Sequence, residues 1–172
     1  DSSLDIGAFN IQLSTLAHSI PEPNSLFIKT ALGTIYHTGD WKIDHKPLVG
    51  TPNPKNFNEK YKDKILAMVC DSTNVLTKGR SGSESMVRDN LVKVIEGIDN
   101  KVFVTSFASN VARLETVAYA AKKTNRHLVV VGRSMHRMIS VAREVGILKD
   151  INIILSEKEA SKKKKHELLY LC

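Results

Sequence analysis

Short apolar runs separated by turn residues fill the first quarter of the chain, at 6–13, 25–30 and 34–38, each alternating or continuous over the length of a strand. They predict β-strands. The last two are separated by Ala31-Leu32-Gly33, and a glycine able to supply positive φ makes them a hairpin with a three-residue loop. Residues 49–62 are rich in Pro, Asn and Lys and read as a long connection.

From Lys64 the pattern changes. Continuous apolar or β-branched runs at 65–70, 102–105, 128–131, 151–155 and 168–171 alternate with longer amphipathic stretches, as buried strands of a parallel sheet alternate with helices. The first helix would carry Val87, Leu91, Val94, Ile95 and Ile98 on one face, with Ser81 and Glu84 as a capping box. The second would carry Val111, Leu114, Val117, Ala118 and Ala121. The third would carry Met138, Val141, Ala142 and Val145 and stop at Gly146. A fourth, polar helix is expected near 157–165. This βαβαβαβ order predicts a doubly wound α/β sheet over 64–172. Residues 1–63 should then belong to a separate strand set with part of its apolar face uncovered. The last run stops at Cys172 with no element after it, so the chain is expected to be a piece of a longer protein.

Composition narrows the class. With 172 residues, 42% hydrophobic and 25% charged, the chain can fold as one ordinary domain or two small ones, and no apolar run reaches the roughly 18 residues of a membrane span. No membrane partner is expected. The two cysteines, Cys70 and Cys172, have no metal-ligand spacing, and Cys70 ends an apolar run where a buried thiol is expected; a reducing cytoplasm fits. Lys and Arg number 25 against 18 acids, a net charge of +7 that favours a polyanionic partner. Four of those charges, Lys162 to Lys165, are adjacent and are expected on a solvated helix face.

Ligands of open α/β sheets bind beyond the carboxyl ends of the strands, where helix N-termini present amide hydrogens suited to phosphate. Those positions hold Asp71-Ser72-Thr73-Asn74, then Ser106 to Arg113, then Gly132-Arg133-Ser134-Met135. Hydroxyls, amides and two arginines on one rim suit a sugar-phosphate backbone. The alternative for Ser109, Asn110 and Ser134 is that they only cap helices. Nearer the N-terminus, His18 and Asp40 follow strands and are good donors for zinc or manganese, although an ordinary surface histidine and a turn-forming aspartate fit the same positions.

Five motifs in order decide between these readings. His18-Ser-Ile-Pro-Glu, Gly33-Thr-Ile-Tyr-His-Thr-Gly-Asp-Trp-Lys-Ile-Asp, Asp71-Ser-Thr-Asn, Phe107-Ala-Ser-Asn-Val and Val131-Gly-Arg-Ser-Met together resemble the ribonuclease J family, in the β-CASP branch of the metallo-β-lactamase-fold nucleases. The resemblance implies a partial metallo-β-lactamase domain over 1–75 and a β-CASP domain over 76–172. By the same resemblance His18 binds one metal and Asp40 bridges two. Asp71, a catalytic acid beside the metals rather than a ligand, supports a histidine from farther along the chain. Ser106, Ser109, Asn110, Arg113, Arg133 and Ser134 would hold RNA over the metal centre. Family members often have His-Arg after Ser-Asn-Val where this chain has Ala112-Arg113, so that histidine's contact is not carried over.

The resemblance further implies a cytoplasmic enzyme that hydrolyses RNA with two divalent ions, zinc first and manganese second, as a 5′ to 3′ exonuclease with endonuclease cuts, and as a homo-oligomer when full-length. The six histidines, 18, 37, 45, 127, 136 and 166, never form the His-x-His-x-Asp-His motif that supplies most metal ligands in that fold. This chain alone is therefore expected to hold no metal pair and to be inactive. The rival expectations are a non-catalytic nucleic-acid-binding module and, more distantly, a hydrolase of small esters or lactams.

Overall fold

The computed structural model describes residues 3–50, 65–148, 151 and 154–172, which divide into two compact units. The expected connection at 49–62 lies mostly outside the described residues. Among those described, no helix is long and apolar enough to cross a membrane.

The first unit is a five-stranded sheet in chain order, β1 (Ser3–Ile6), β2 (Phe9–Thr15), β3 (Asn24–Thr30), β4 (Gly33–His37) and β5 (Ile65–Val69). The predicted strand at 6–13 is two strands. Ile6 pairs with Phe9, and Gly7 turns the chain at φ +58, a conformation that costs a glycine little. Thr30 pairs with Gly33, so the second hairpin loop is Ala31-Leu32 and not the three residues expected.

Directly paired residues point to one side of an antiparallel sheet. The registers therefore put Leu4, Ile6, Phe9, Ile11, Leu13, Leu26, Ile28 and Ile35 on one face, where Leu4, Ile6, Phe9 and Leu13 are exposed. Phe27 and Tyr36, stacked with ring centroids 4.6 Å apart, are buried on the other.

Strand β5 corrects the sequence reading. It was expected as the first strand of the parallel α/β sheet over 64–172, but it pairs with β4 in the first sheet, parallel and with a register shift at Thr34/Ile35. A continuous apolar run fits any sheet with a parallel neighbour, and its periodicity carries no information about which sheet that is. As an edge strand β5 exposes Leu66, Met68 and Val69, and Cys70 after it is exposed rather than buried.

The second unit holds β6 (Val102–Val104), β7 (His127–Val130), β8 (Ile154–Leu155) and β9 (Leu168–Leu171) in a parallel sheet of order β6-β9-β7-β8. It also holds helices α1 (Glu84–Glu96), α2 (Val111–Lys123), α3 (Arg133–Glu144) and the single turn α4 (Glu157–Ala160). This is the expected parallel sheet flanked by helices.

One face of that sheet carries Leu128, Val130, Leu169 and Leu171, which pack with Leu114 and Val117 of α2 and Met135 and Ile139 of α3 into the main core. The other face buries Val129 and Leu168 against Ala160 and leaves Phe103 61% exposed, stacked on Tyr170.

Three helix details differ from the periodicity reading. The N-cap of α1 is Ser83, whose hydroxyl accepts from the Met86 amide, rather than Ser81, and Val94 is exposed. In α3 the buried stripe is Met135, Ile139 and Ala142, with Val141 and Val145 exposed. More apolar residues are present than one stripe can hold; of the predicted stripe Ala142 and Met138 pack into the core, while Val141 and Val145 do not. The expected fourth helix ends at Ala160, so Lys162 to Lys165 stand exposed in a turn and a 3-10 segment instead of on a helix face.

Candidate functional site

In the first unit β2 and β4 both run antiparallel to β3, and β5 runs parallel to β4. Their carboxyl ends therefore leave one edge of the sheet. His18 follows β2, Asp40 follows β4 and Asp71 follows β5.

The three loops are tied to one another. Ala17 bridges Lys42, whose amide donates to the Ala17 carbonyl at 3.0 Å. The Thr38 amide donates to the Val69 carbonyl at 2.9 Å, and the Asp71 amide donates to the Thr38 hydroxyl at 3.1 Å. Trp41 closes the group, its indole donating to the Asp71 carbonyl at 3.4 Å. Gly39 is needed in this packing, because at φ +60 any side chain is strained and a Cβ would sit 3.3 Å from the Asn24 carbonyl oxygen.

Asp40 is exposed and His18 half-buried. Asp71 is the most fully specified of the three. Its Oδ1 accepts from the Thr73 hydroxyl at 2.6 Å and the Thr73 amide at 2.9 Å. These bonds hold its carboxyl below the usual aspartate range, first through the hydroxyl and then the amide, with a smaller contribution from the nearby His18 imidazole. Asp71 is thus an anion built into a turn, with a histidine within electrostatic reach.

An imidazole and a carboxylate suit zinc or manganese in kind, but a catalytic zinc site takes three protein ligands. Among the described residues no group of three His, Cys, Asp or Glu side chains stands where it could hold a metal ion. The donors of this chain fit the chemistry of a metal centre and, among the described residues, fall short of its number.

In the second unit the carboxyl ends of β6 and β7 flank that of β9. The Ser106 amide donates to the Cys172 carbonyl at 3.0 Å, and the Val131 amide donates to the Leu171 carbonyl at 2.8 Å. Ser106 and Gly132-Arg133 therefore stand on either side of Cys172, and the N-termini of α2 and α3 open on the same edge.

The two helix starts are built differently. Asn110 caps α2, its side-chain oxygen accepting from the Arg113 amide at 3.0 Å, as the capping alternative foresees. Gly132 precedes α3 at φ +103 and gives it no side-chain cap. Neither Ser109 nor Ser134 is an N-cap, and both are exposed, as is Arg133. Arg113 faces inward, with its Nη2 3.6 Å from Oε2 of the buried Glu84 on α1. Sequence reasoning missed Glu84, Thr38 and Trp41. Glu84 was assigned to a capping box that does not form, and nothing local marks Thr38 or Trp41 as ties between loops.

Residues 99–172 match the family model described as ribonuclease J, beta-CASP domain. A ribonuclease J from Sinorhizobium meliloti is 42% identical over 157 residues, covering 91% of this chain and 28% of that protein. Another from Corynebacterium glutamicum is 38% identical over 172 residues, covering 99% of this chain and 24% of that protein. A third from Thermus thermophilus is 33% identical over 173 residues, with 99% of this chain and 30% of that protein covered. The chain thus spans under a third of the length of these relatives. A crystal structure of an Enterococcus faecalis protein of unknown function shares the fold, with a TM-score of 0.68 and 16% identity over 99% of this chain and 43% of that one.

Proposed function

The chain carries the β-CASP domain of the ribonuclease J family, and on that premise we propose that it is one stretch of a metal-dependent ribonuclease that hydrolyses RNA phosphodiesters. Residues 1–75 are then part of a metallo-β-lactamase domain, and residues 76–172 belong to the β-CASP domain. One observation carries the reading. The loops after β2, β4 and β5, which bear His18, Asp40 and Asp71, are hydrogen-bonded into one group at one sheet edge.

In this reading His18 and Asp40 are metal ligands and Asp40 bridges two divalent ions, zinc first and manganese second. The other ligands come from residues of the whole protein that lie outside this chain. Asp71 is the fixed anion that braces a neighbouring imidazole, a role suited to a carboxylate whose charge two hydrogen bonds from Thr73 already favour.

RNA lies along the rim of the second sheet. Ser106, Ser109, Asn110 and Ser134 offer polar groups, the uncapped start of α3 offers amides, and Arg133 offers a guanidinium to phosphate oxygens. Arg113 belongs to the same rim, but its charge is turned to Glu84. Processing by 5′ to 3′ exonuclease and endonuclease cuts, in the cytoplasm and by a homo-oligomer, completes the proposal.

Calorimetry with zinc or manganese, together with a labelled single-stranded RNA, tests the share assigned to this chain. The 172-residue chain should show no tight stoichiometric metal binding and no cleavage. Tight zinc binding or metal-dependent cleavage by this chain alone would mean that the ligand set has been assigned wrongly.

A further inference from the structure

Helices α1 and α2 meet through two ion pairs. Glu84, 7% exposed on the first turn of α1, faces Arg113 at 3.6 Å, and one turn later Arg88 faces Glu115 at 3.5 Å while lying 4.4 Å over the ring of Tyr119. Opposite charges on successive turns specify one register of α1 against α2. The side chain of Arg113 is held deep enough that its Nε is buried without a hydrogen-bond partner among the described residues. A guanidinium already neutralised by a buried carboxylate releases few counterions when a nucleic acid approaches. Arg133 differs. It is exposed on the first turn of α3, and no ion pair engages it among the described residues.

We propose that Glu84 is a latch that holds the Arg113 guanidinium against α1 and off the phosphate path, so that Arg133 is the rim's cationic contact. Glu84 is in this sense a positioning residue that sets how strongly the rim binds a polyanion. The inference rests on the reading that the rim binds RNA, and it predicts a gain of binding from the loss of an acid at a buried site.

The salt dependence of binding to a single-stranded oligouridylate tests it, with circular dichroism selecting the variants that fold. Arg133→Gln should flatten the slope of log affinity against log salt by about 0.7, the value of one phosphate contact on a single strand. Arg113→Gln should leave the slope unchanged. Glu84→Gln should steepen it by about 0.7, and the double variant Glu84→Gln/Arg113→Gln should return it to the starting value.

If Glu84→Gln does not fold, the comparison of Arg113→Gln with Arg133→Gln decides alone. A slope that falls as much in Arg113→Gln as in Arg133→Gln overturns the latch while leaving the rim reading intact. A chain that binds no oligouridylate at all overturns the rim reading and the latch with it.

Discussion

The hydroxyl of Thr38 accepts the amide hydrogen of Asp71 at 3.1 Å, tying the loop after β4, which carries Asp40, to the loop after β5. Thr38 is 4% exposed, and its hydroxyl also donates to the Gly39 carbonyl at 2.7 Å. Thr38→Val keeps the shape and leaves both backbone groups without this partner. It should cost about 1–3 kcal/mol in chemical denaturation, while Thr38→Ser should cost less because it keeps the hydroxyl.

The carboxyl of Asp71 titrates below its ordinary range because Thr73 donates two hydrogen bonds to the charged form. A depressed folded-state pKa adds stability that is present above the unfolded value, about 3.9, and is lost as pH falls through the folded value. The loss therefore belongs to acid below the ordinary aspartate range, not to neutral pH. Thr73→Val removes the larger of the two contributions. NMR titration of the Asp71 side chain should show its pKa rise toward the ordinary value; an unchanged pKa would place the cause elsewhere.

Ile139 and Val141 sit two residues apart on α3, one 2% exposed and the other 45%. Ile139→Ala should cost about 2–5 kcal/mol, as a cavity does in a packed core. Val141→Ala should stay within about 0.5 kcal/mol. Thermal or chemical unfolding of the two variants checks the rotation of this helix, and a larger loss at Val141 would restore the stripe that periodicity suggested.

That pair also shows what the sequence could and could not reveal. Most strand and helix positions after residue 100 were legible, because runs such as 128–131 and the helix with Leu114 and Val117 carry a local period that tertiary packing did not override; the polar helix expected near 157–165, which has no such period, ends at Ala160. Partner choice was not legible. Strand β5 joins the first sheet and β9 inserts between β6 and β7, and both are decisions made by residues far apart in the chain.

The same division runs through the candidate site. Asp71-Ser72-Thr73 is a local turn signature, and its carboxylate does bond two residues onward. Arg113 pairs with Glu84 across a helix and a strand, and no periodicity points to that pair. His18, Asp40 and Asp71 were singled out by the motifs. That their loops leave the same end of the sheet follows from the directions of β2, β4 and β5, which only the pairing registers reveal.

Cleavage of a labelled single-stranded RNA by the full-length protein, with and without Asp40→Asn, tests whether a metal centre is built on the loops after β2, β4 and β5. The unaltered protein should cleave RNA when supplied with zinc or manganese. The variant should lose about two or more orders of magnitude in rate and keep its RNA affinity and its salt slope, because a lost metal-bridging carboxylate leaves the phosphate-binding rim in place. Cleavage that survives Asp40→Asn at the original rate, or affinity that collapses together with it, would contradict a metal centre built on this edge of the first sheet.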